Sequence, residues 1–174
     1  MTRRTLAPFL VAALLVVGGI AACAKDEGAA TRSGCGGSAS GSGAGSASSA
    51  GAASRRPLEV TVDEWSIKAP GTTKAGKVLL TVDNVGDVEH EVIVIKGVKL
   101  DDIPTKADGT IDEDELPDGA VLGEVEGVAS GSTCDGGFTL EPGTYSLACN
   151  LLSDEDGKEK AHFMLGMSTQ LQVT

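Results

Sequence analysis

The chain has 174 residues, with 25 Asp and Glu against 14 Lys and Arg, a net charge of −11 and only 3% aromatic residues. A polyanion of this kind repels phosphate backbones, which argues against nucleic acid as a partner, and no Walker or dinucleotide glycine pattern points to nucleotide chemistry. Histidine is scarce: His90 and His162 are the two in the chain, so a Ser-His-Asp hydrolase would need one of them free of any other duty.

The first residues read as an address. Arg3 and Arg4 form a basic start, and the nearly unbroken apolar run from Leu6 ends at Ile20-Ala21-Ala22-Cys23. That ending resembles the lipobox of bacterial lipoprotein signal peptides. The resemblance implies removal of residues 1–22 and a diacylglycerol (palmitate-type acylation) on Cys23, holding the protein at the bacterial membrane outside the cytoplasm. An ordinary signal peptide and a retained anchor are the alternatives, although a spanning helix needs roughly 20 apolar residues and Gly18-Gly19 interrupts this run. The paired arginines suit either general secretory or twin-arginine export. Residues 23–56 are rich in Gly, Ser and Ala with no apolar periodicity, which predicts a disordered tether. About thirty such residues have an r.m.s. span of roughly 30 Å.

Residues 57–174 suffice for one compact domain. Arg3, Arg4, Lys25, Arg32, Arg55 and Arg56 all precede it, against only Asp26 and Glu27, so the domain is more acidic than the whole chain. Period-two patterns run through Leu58–Val62, Trp65–Lys68 and Lys77–Asp83. His90 opens an apolar strand, His90-Glu91-Val92-Ile93-Val94-Ile95, and Val121–Val128, Phe138–Leu140, Thr144–Cys149 and Gln170–Val173 complete the set. No segment reads as an amphipathic helix of three turns. Seven or eight short strands with Gly/Pro turns predict an all-β, Greek-key β-sandwich. Glu141-Pro142-Gly143-Thr144 reads as a tight turn joining Thr133–Leu140 and Thr144–Cys149 into a hairpin. On the second of these strands Tyr145, Leu147 and Cys149 share one face, so Cys149 is expected to point into the core. The acidic stretch Asp101–Asp118 contains Asp108-Gly109-Thr110-Ile111-Asp112-Glu113, which lacks the ligand alternation of a calcium loop and reads as a solvated loop.

Two imidazoles, one thiolate and one thioether are the ligand set of a blue-copper centre, and His90, Cys149, His162 and Met167 supply it in that order. Two blocks carry a wider resemblance. The first runs from Val60-Thr61-Val62-Asp63-Glu64-Trp65 through Ala75–Gly86 to Glu89-His90-Glu91. The second is Leu140-Glu141-Pro142-Gly143-Thr144-Tyr145-Ser146-Leu147-Ala148-Cys149-Asn150, followed by His162 and Gly166-Met167. Together they resemble the cupredoxins, in particular the small single-domain cupredoxin-like lipoproteins of bacteria with sulfocyanin-type relatives. The resemblance implies one copper per chain, with His90, Cys149 and His162 in the plane and Met167, rather than Met164, as the weak axial ligand. It departs at one point. Members usually carry Asn-x-Pro-Gly-His after the cysteine, whereas here twelve residues, 150–161, separate Cys149 from His162. The charged stretch 151–160 is expected to form a mobile excursion, which would loosen the site, admit solvent or leave the protein colourless. Closing a longer loop adds only about 0.6 kcal/mol per doubling, so His162 can still return to the metal.

Cys134 leaves three options: a bond to Cys149, which would abolish the metal site, a bond to Cys35, or a free thiol. The expected hairpin puts Cys134 opposite about Leu151, a poor offset for bonding Cys149 unless Gly136-Gly137 bulges, and this favours Cys35–Cys134. The leading expectation is a membrane-anchored, extracytoplasmic (periplasmic) one-electron carrier. It would act as a monomer, tethered through Cys23, with a basic redox partner such as a cytochrome or oxidase. The alternative is a module that captures or delivers copper, or iron, at a distorted site; a metal-free interaction domain is the third reading. Copper oxidases need many more histidines, so no enzymatic role is expected.

Overall fold

The computed structural model describes Cys35–Gly36, residues 55–154 and residues 156–174. The expected signal peptide, Cys23 and most of the tether lie outside these residues.

Among the described residues twelve strands are formed: β1 (Cys35–Gly36), β2 (Arg56–Asp63), β3 (Ser66–Lys68), β4 (Thr72–Thr73), β5 (Gly76–Asn84), β6 (His90–Lys96), β7 (Val121–Val128), β8 (Thr133–Leu140), β9 (Gly143–Ala148), β10 (Leu152–Asp154), β11 (Glu159–Ala161) and β12 (Ser168–Val173). One five-stranded sheet runs β1-β8-β5-β2-β3, the other β4-β12-β9-β6-β7, and β10-β11 is a separate ribbon. The helical elements among the described residues are three single 3-10 turns. The result is an all-β sandwich, as the strand pattern predicts.

Alternation places the core. Leu58, Val60 and Val62 of β2 and Val78, Leu80 and Val82 of β5 point inward and meet Val92, Val94, Tyr145, Leu147 and Leu171 from the other sheet. Each such side chain contributes about 1.5–3 kcal/mol of burial before its ordering entropy is set against it. β6 is buried on both faces, which is why Val92–Ile95 reads as a continuous apolar run rather than an alternating one. Its second face, Ile93 and Ile95, packs with Ala148 under a lid built from Val98, Ile103, Ile111 and Leu116. The acidic stretch is thus solvated only in part: its charges face water while its aliphatic residues cover the outer sheet.

The expected hairpin does not form. β8 pairs with β5, and β9 pairs with β12 and β6, so the Pro142-Gly143 turn carries the chain from one sheet to the other. Both strands have an apolar inner face, and alternation alone does not distinguish strands side by side from strands facing one another across a core. Tyr145 clasps this corner: its hydroxyl donates to the Glu141 carbonyl and accepts from the Glu141 amide, each at 3.0 Å. Gly136 and Gly137 keep regular register with Leu80 and Leu79, without a bulge. Cys134 faces Val82 on one side and Cys35 on the other, not Leu151. The disulfide joins Cys35 to Cys134, so two residues of the Gly/Ser/Ala segment are docked as β1 against β8. Part of the excursion after Cys149 is likewise ordered, as the β10–β11 ribbon.

Candidate metal centre

His90 begins β6, where the strand enters the core. Its approach is fixed by Asn84 at the end of β5, a buried amide whose Nδ2 donates to the carbonyls of Val88 (2.8 Å) and Val128 (2.7 Å) and whose Oδ1 accepts from Gly86 N (2.9 Å). Asn84 therefore ties the 85–89 turn to the end of β7, across from His90. Every hydrogen-bonding group of this buried side chain that matters to the turn is used, as burial requires.

Cys149 follows directly on β9 and is fully buried, the free thiol among the described residues. Asn150 locks its backbone in place. The Asn150 amide N–H donates to the buried Glu91 carboxylate at 3.0 Å, and its side chain bonds the main chain of Ile111 in both directions. The chain then leaves through β10 and β11 and returns at His162, whose amide donates to the Leu151 carbonyl at 2.9 Å. A single 3-10 turn, Phe163–Leu165, is closed by Gly166 at φ +100°, a left-handed conformation that suits glycine. Met167 N then donates back to His162 O (3.0 Å), and Cys149 N donates to Met167 O (3.1 Å). Three of the expected ligands are thereby stitched into one loop by main-chain bonds.

The side chains converge. One donor atom each from His90, Cys149 and His162 lies within 4.8 Å of the others, all three residues being buried. The two Nδ1 atoms are 3.3 Å apart, and Cys149 Sγ is 3.3 Å from His162 Nδ1. The Met167 side chain is fully buried in the core cluster that contains Cys149, whereas Met164 is 64% exposed. The excursion does not admit solvent to the imidazoles, contrary to the sequence expectation, because the ribbon folds on itself and Trp65 packs 4.5 Å from the His162 ring.

Protonation suits a metal. Burial, and then the neighbouring His90, push His162 down to about 4. Burial also lowers His90, against the pull of Glu64 and Asp63. Both rings are therefore neutral near pH 7, with a lone pair to give. Burial pushes the Cys149 thiol up to about 11, although the amides of Glu91 and Leu151 directed at the sulfur work the other way. Without a cation the sulfur keeps its proton, so metal binding must release it. Donors 3.3 Å apart can share one ion roughly 2 Å from each, and two imidazoles with a thiolate form a set of the kind copper takes. The residues present fit the ion.

Solved structures with a similar backbone carry the fold further. Reduced auracyanin from the photosynthetic bacterium Roseiflexus castenholzii aligns over 68% of this chain and 96% of its own, with TM-score 0.50 and 19% identity. The fold is cupredoxin-like. Auracyanin A from Chloroflexus aurantiacus (19% identity, 68% and 99% covered, TM-score 0.46) and rusticyanin from Thiobacillus ferrooxidans (18% identity, 70% and 79% covered, TM-score 0.43) also match. No family model matches the chain, and no curated protein does.

Sequence reasoning missed Glu64, Asn84 and Trp65 as parts of the site. Trp65 read as the first residue of a strand, and Glu64 and Asn84 as positions just outside strands. Their role comes from proximity to the imidazoles, which no spacing in the chain reveals.

Proposed function

We propose that this cupredoxin-like domain captures and holds one copper ion through His90 Nδ1, Cys149 Sγ and His162 Nδ1. The observation that carries this reading is the buried, mutually close arrangement of three soft or borderline donors. The thiolate makes copper a better fit than iron. Copper bound there supplies a Cu(I)/Cu(II) couple. The chain's own contribution is to hold the donors in place, to exclude water with Trp65 and the core, and to stabilise a deprotonated sulfur with the Glu91 and Leu151 amides.

A second reading, one-electron transfer, is favoured by one specific observation. Met167 is fully buried and its main chain is bonded to both Cys149 and His162, the position from which its thioether would serve as a weak axial ligand. Rigid donors keep reorganisation small, which suits a carrier. Neither reading calls for catalysis. The lipobox-like Cys23 favours a lipid-anchored, extracytoplasmic protein, and the acidic surface favours a basic partner reached by salt-sensitive attraction.

Two measurements on the copper-loaded full chain separate the uses. A carrier exchanges electrons with a small redox reagent rapidly and gives up copper slowly to a chelator. A holding or delivery module shows slow electron exchange and transfers its copper to a competing thiol ligand within minutes.

A further inference from the structure

The corner between β2 and β3 holds the two groups that sit behind the imidazoles. Glu64 Oε1 accepts from the amides of Asp87 (2.7 Å) and Val88 (3.0 Å) and lies 3.5 Å from His90 Nε2. It packs so tightly on the 85–89 turn that a Cβ at Gly86 would meet the carboxylate at 2.5 Å. The next residue, Trp65, tilts its ring at 56° over His162, with centroids 4.5 Å apart, and meets the His90 ring edge-on at 6.2 Å. The Nε2 atoms of both histidines are buried, and neither makes a hydrogen bond. A neutral imidazole carries one proton, and its position decides which nitrogen can bind a metal. Buried and without a strong acceptor, each ring would divide its proton between two tautomers, only one of which leaves Nδ1 free.

We propose that Glu64 and Trp65 are the positioning pair of the metal centre. The Glu64 carboxylate holds the proton of His90 on Nε2, and the electron-rich face of Trp65 holds that of His162 on Nε2, so that both rings present Nδ1 lone pairs to one point. The carboxylate contact is the stronger of the two, because a full negative charge 3.5 Å from Nε2 favours the proton there. The indole contact is a weak N–H to π interaction that also excludes water. This inference rests on the copper-binding reading for its purpose, but not for its test.

Long-range ¹H–¹⁵N correlation spectra of the metal-free, ¹⁵N-labelled full chain report the tautomer of each histidine directly. Both are expected in the Nε2-protonated form. Glu64→Leu should introduce the Nδ1-protonated form at His90 while His162 stays as it is, and should weaken copper binding by tenfold to a hundredfold. Glu64→Gln keeps an acceptor oxygen for the Asp87 and Val88 amides. It should restore the His90 tautomer, move the Nε2 proton resonance upfield and raise the copper reduction potential as a negative charge is lost. Trp65→Leu should mix the tautomers of His162 alone, and Trp65→Phe should restore them. If Glu64→Leu does not fold, the Gln variant decides, since an unmoved Nε2 proton resonance and potential would overturn the assignment. A Nδ1-protonated His90 in the unsubstituted chain, or tautomers indifferent to both residues, would also overturn it. Correct tautomers in a chain that takes no copper would sink the functional reading and leave the positioning intact.

Discussion

His90 and His162 reach the same point by different means. His90 stands at the mouth of a strand buried on both faces, backed by a carboxylate and approached through a turn that Asn84 ties down with three hydrogen bonds. His162 hangs from a loop: it returns after the β10–β11 ribbon, is held by main-chain bonds to Leu151, Leu165 and Met167, and is backed by an aromatic face. One histidine belongs to the scaffold and the other to a local circuit. A sandwich can therefore tolerate a long insertion on the loop side, provided that the bonds closing the circuit survive.

The largest expected effect tests whether the two ligands are equal partners despite this difference. Copper at a thousand times its dissociation constant should stabilise the full chain by about 4 kcal/mol, and either His90→Ala or His162→Ala should remove most of that gain. The metal-free variants should then diverge in urea denaturation. His90→Ala leaves a hole against the core strands and should cost about 3 kcal/mol, while His162→Ala, on the loop, should cost about 1 kcal/mol. Equal losses would erase the distinction between scaffold and loop.

A smaller effect sharpens the loop side. Met167→Leu preserves volume in the core, so it should change stability by less than about 1.5 kcal/mol. It should nevertheless shift the visible spectrum of the copper form and raise its reduction potential. Met164→Leu, at an exposed position packed on Gly109, should change neither. If Met164 governs the spectrum instead, the axial assignment moves to it.

The smallest concerns the strand side. Burial and then the Glu91 charge push the Glu124 carboxyl on β7 up to about 7 from 4.5. A folded-state value above the unfolded one means that the folded protein holds more protons within that window. Its stability should therefore fall as pH rises from 4.5 to 7. Solvent screening at this exposed side chain limits the change to about 1 kcal/mol. Glu124→Gln should flatten that part of the profile in thermal denaturation.

The same contrast explains what could be read from the chain. The convergence of His90, Cys149 and His162 was legible because histidine is rare and Cys149 shares a face with Tyr145 and Leu147. Strand faces were legible too, since alternation reports burial directly. Which strands become neighbours was not: β8 and β9 look like a hairpin because each has one apolar face and a Pro-Gly turn between them, yet those faces meet across the core. The charge of residues 151–160 suggested mobility, while the pairing of Leu152–Asp154 with Glu159–Ala161 depends on a local register that charge does not reveal. Glu64 and Trp65 stand in a stretch that resembles the cupredoxins, but their place behind the imidazoles shows only when the β2–β3 corner is seen against them.

On the proposed reading His90, Cys149 and His162 hold one copper ion, with the thiolate as the defining bond. Titrating Cu(II) into the reduced full chain while recording visible absorption and EPR tests it most directly. An intense thiolate-to-copper band should appear, saturate at one copper per chain and be absent from Cys149→Ser. Copper taken up without such a band, or a band that survives in Cys149→Ser, would contradict it.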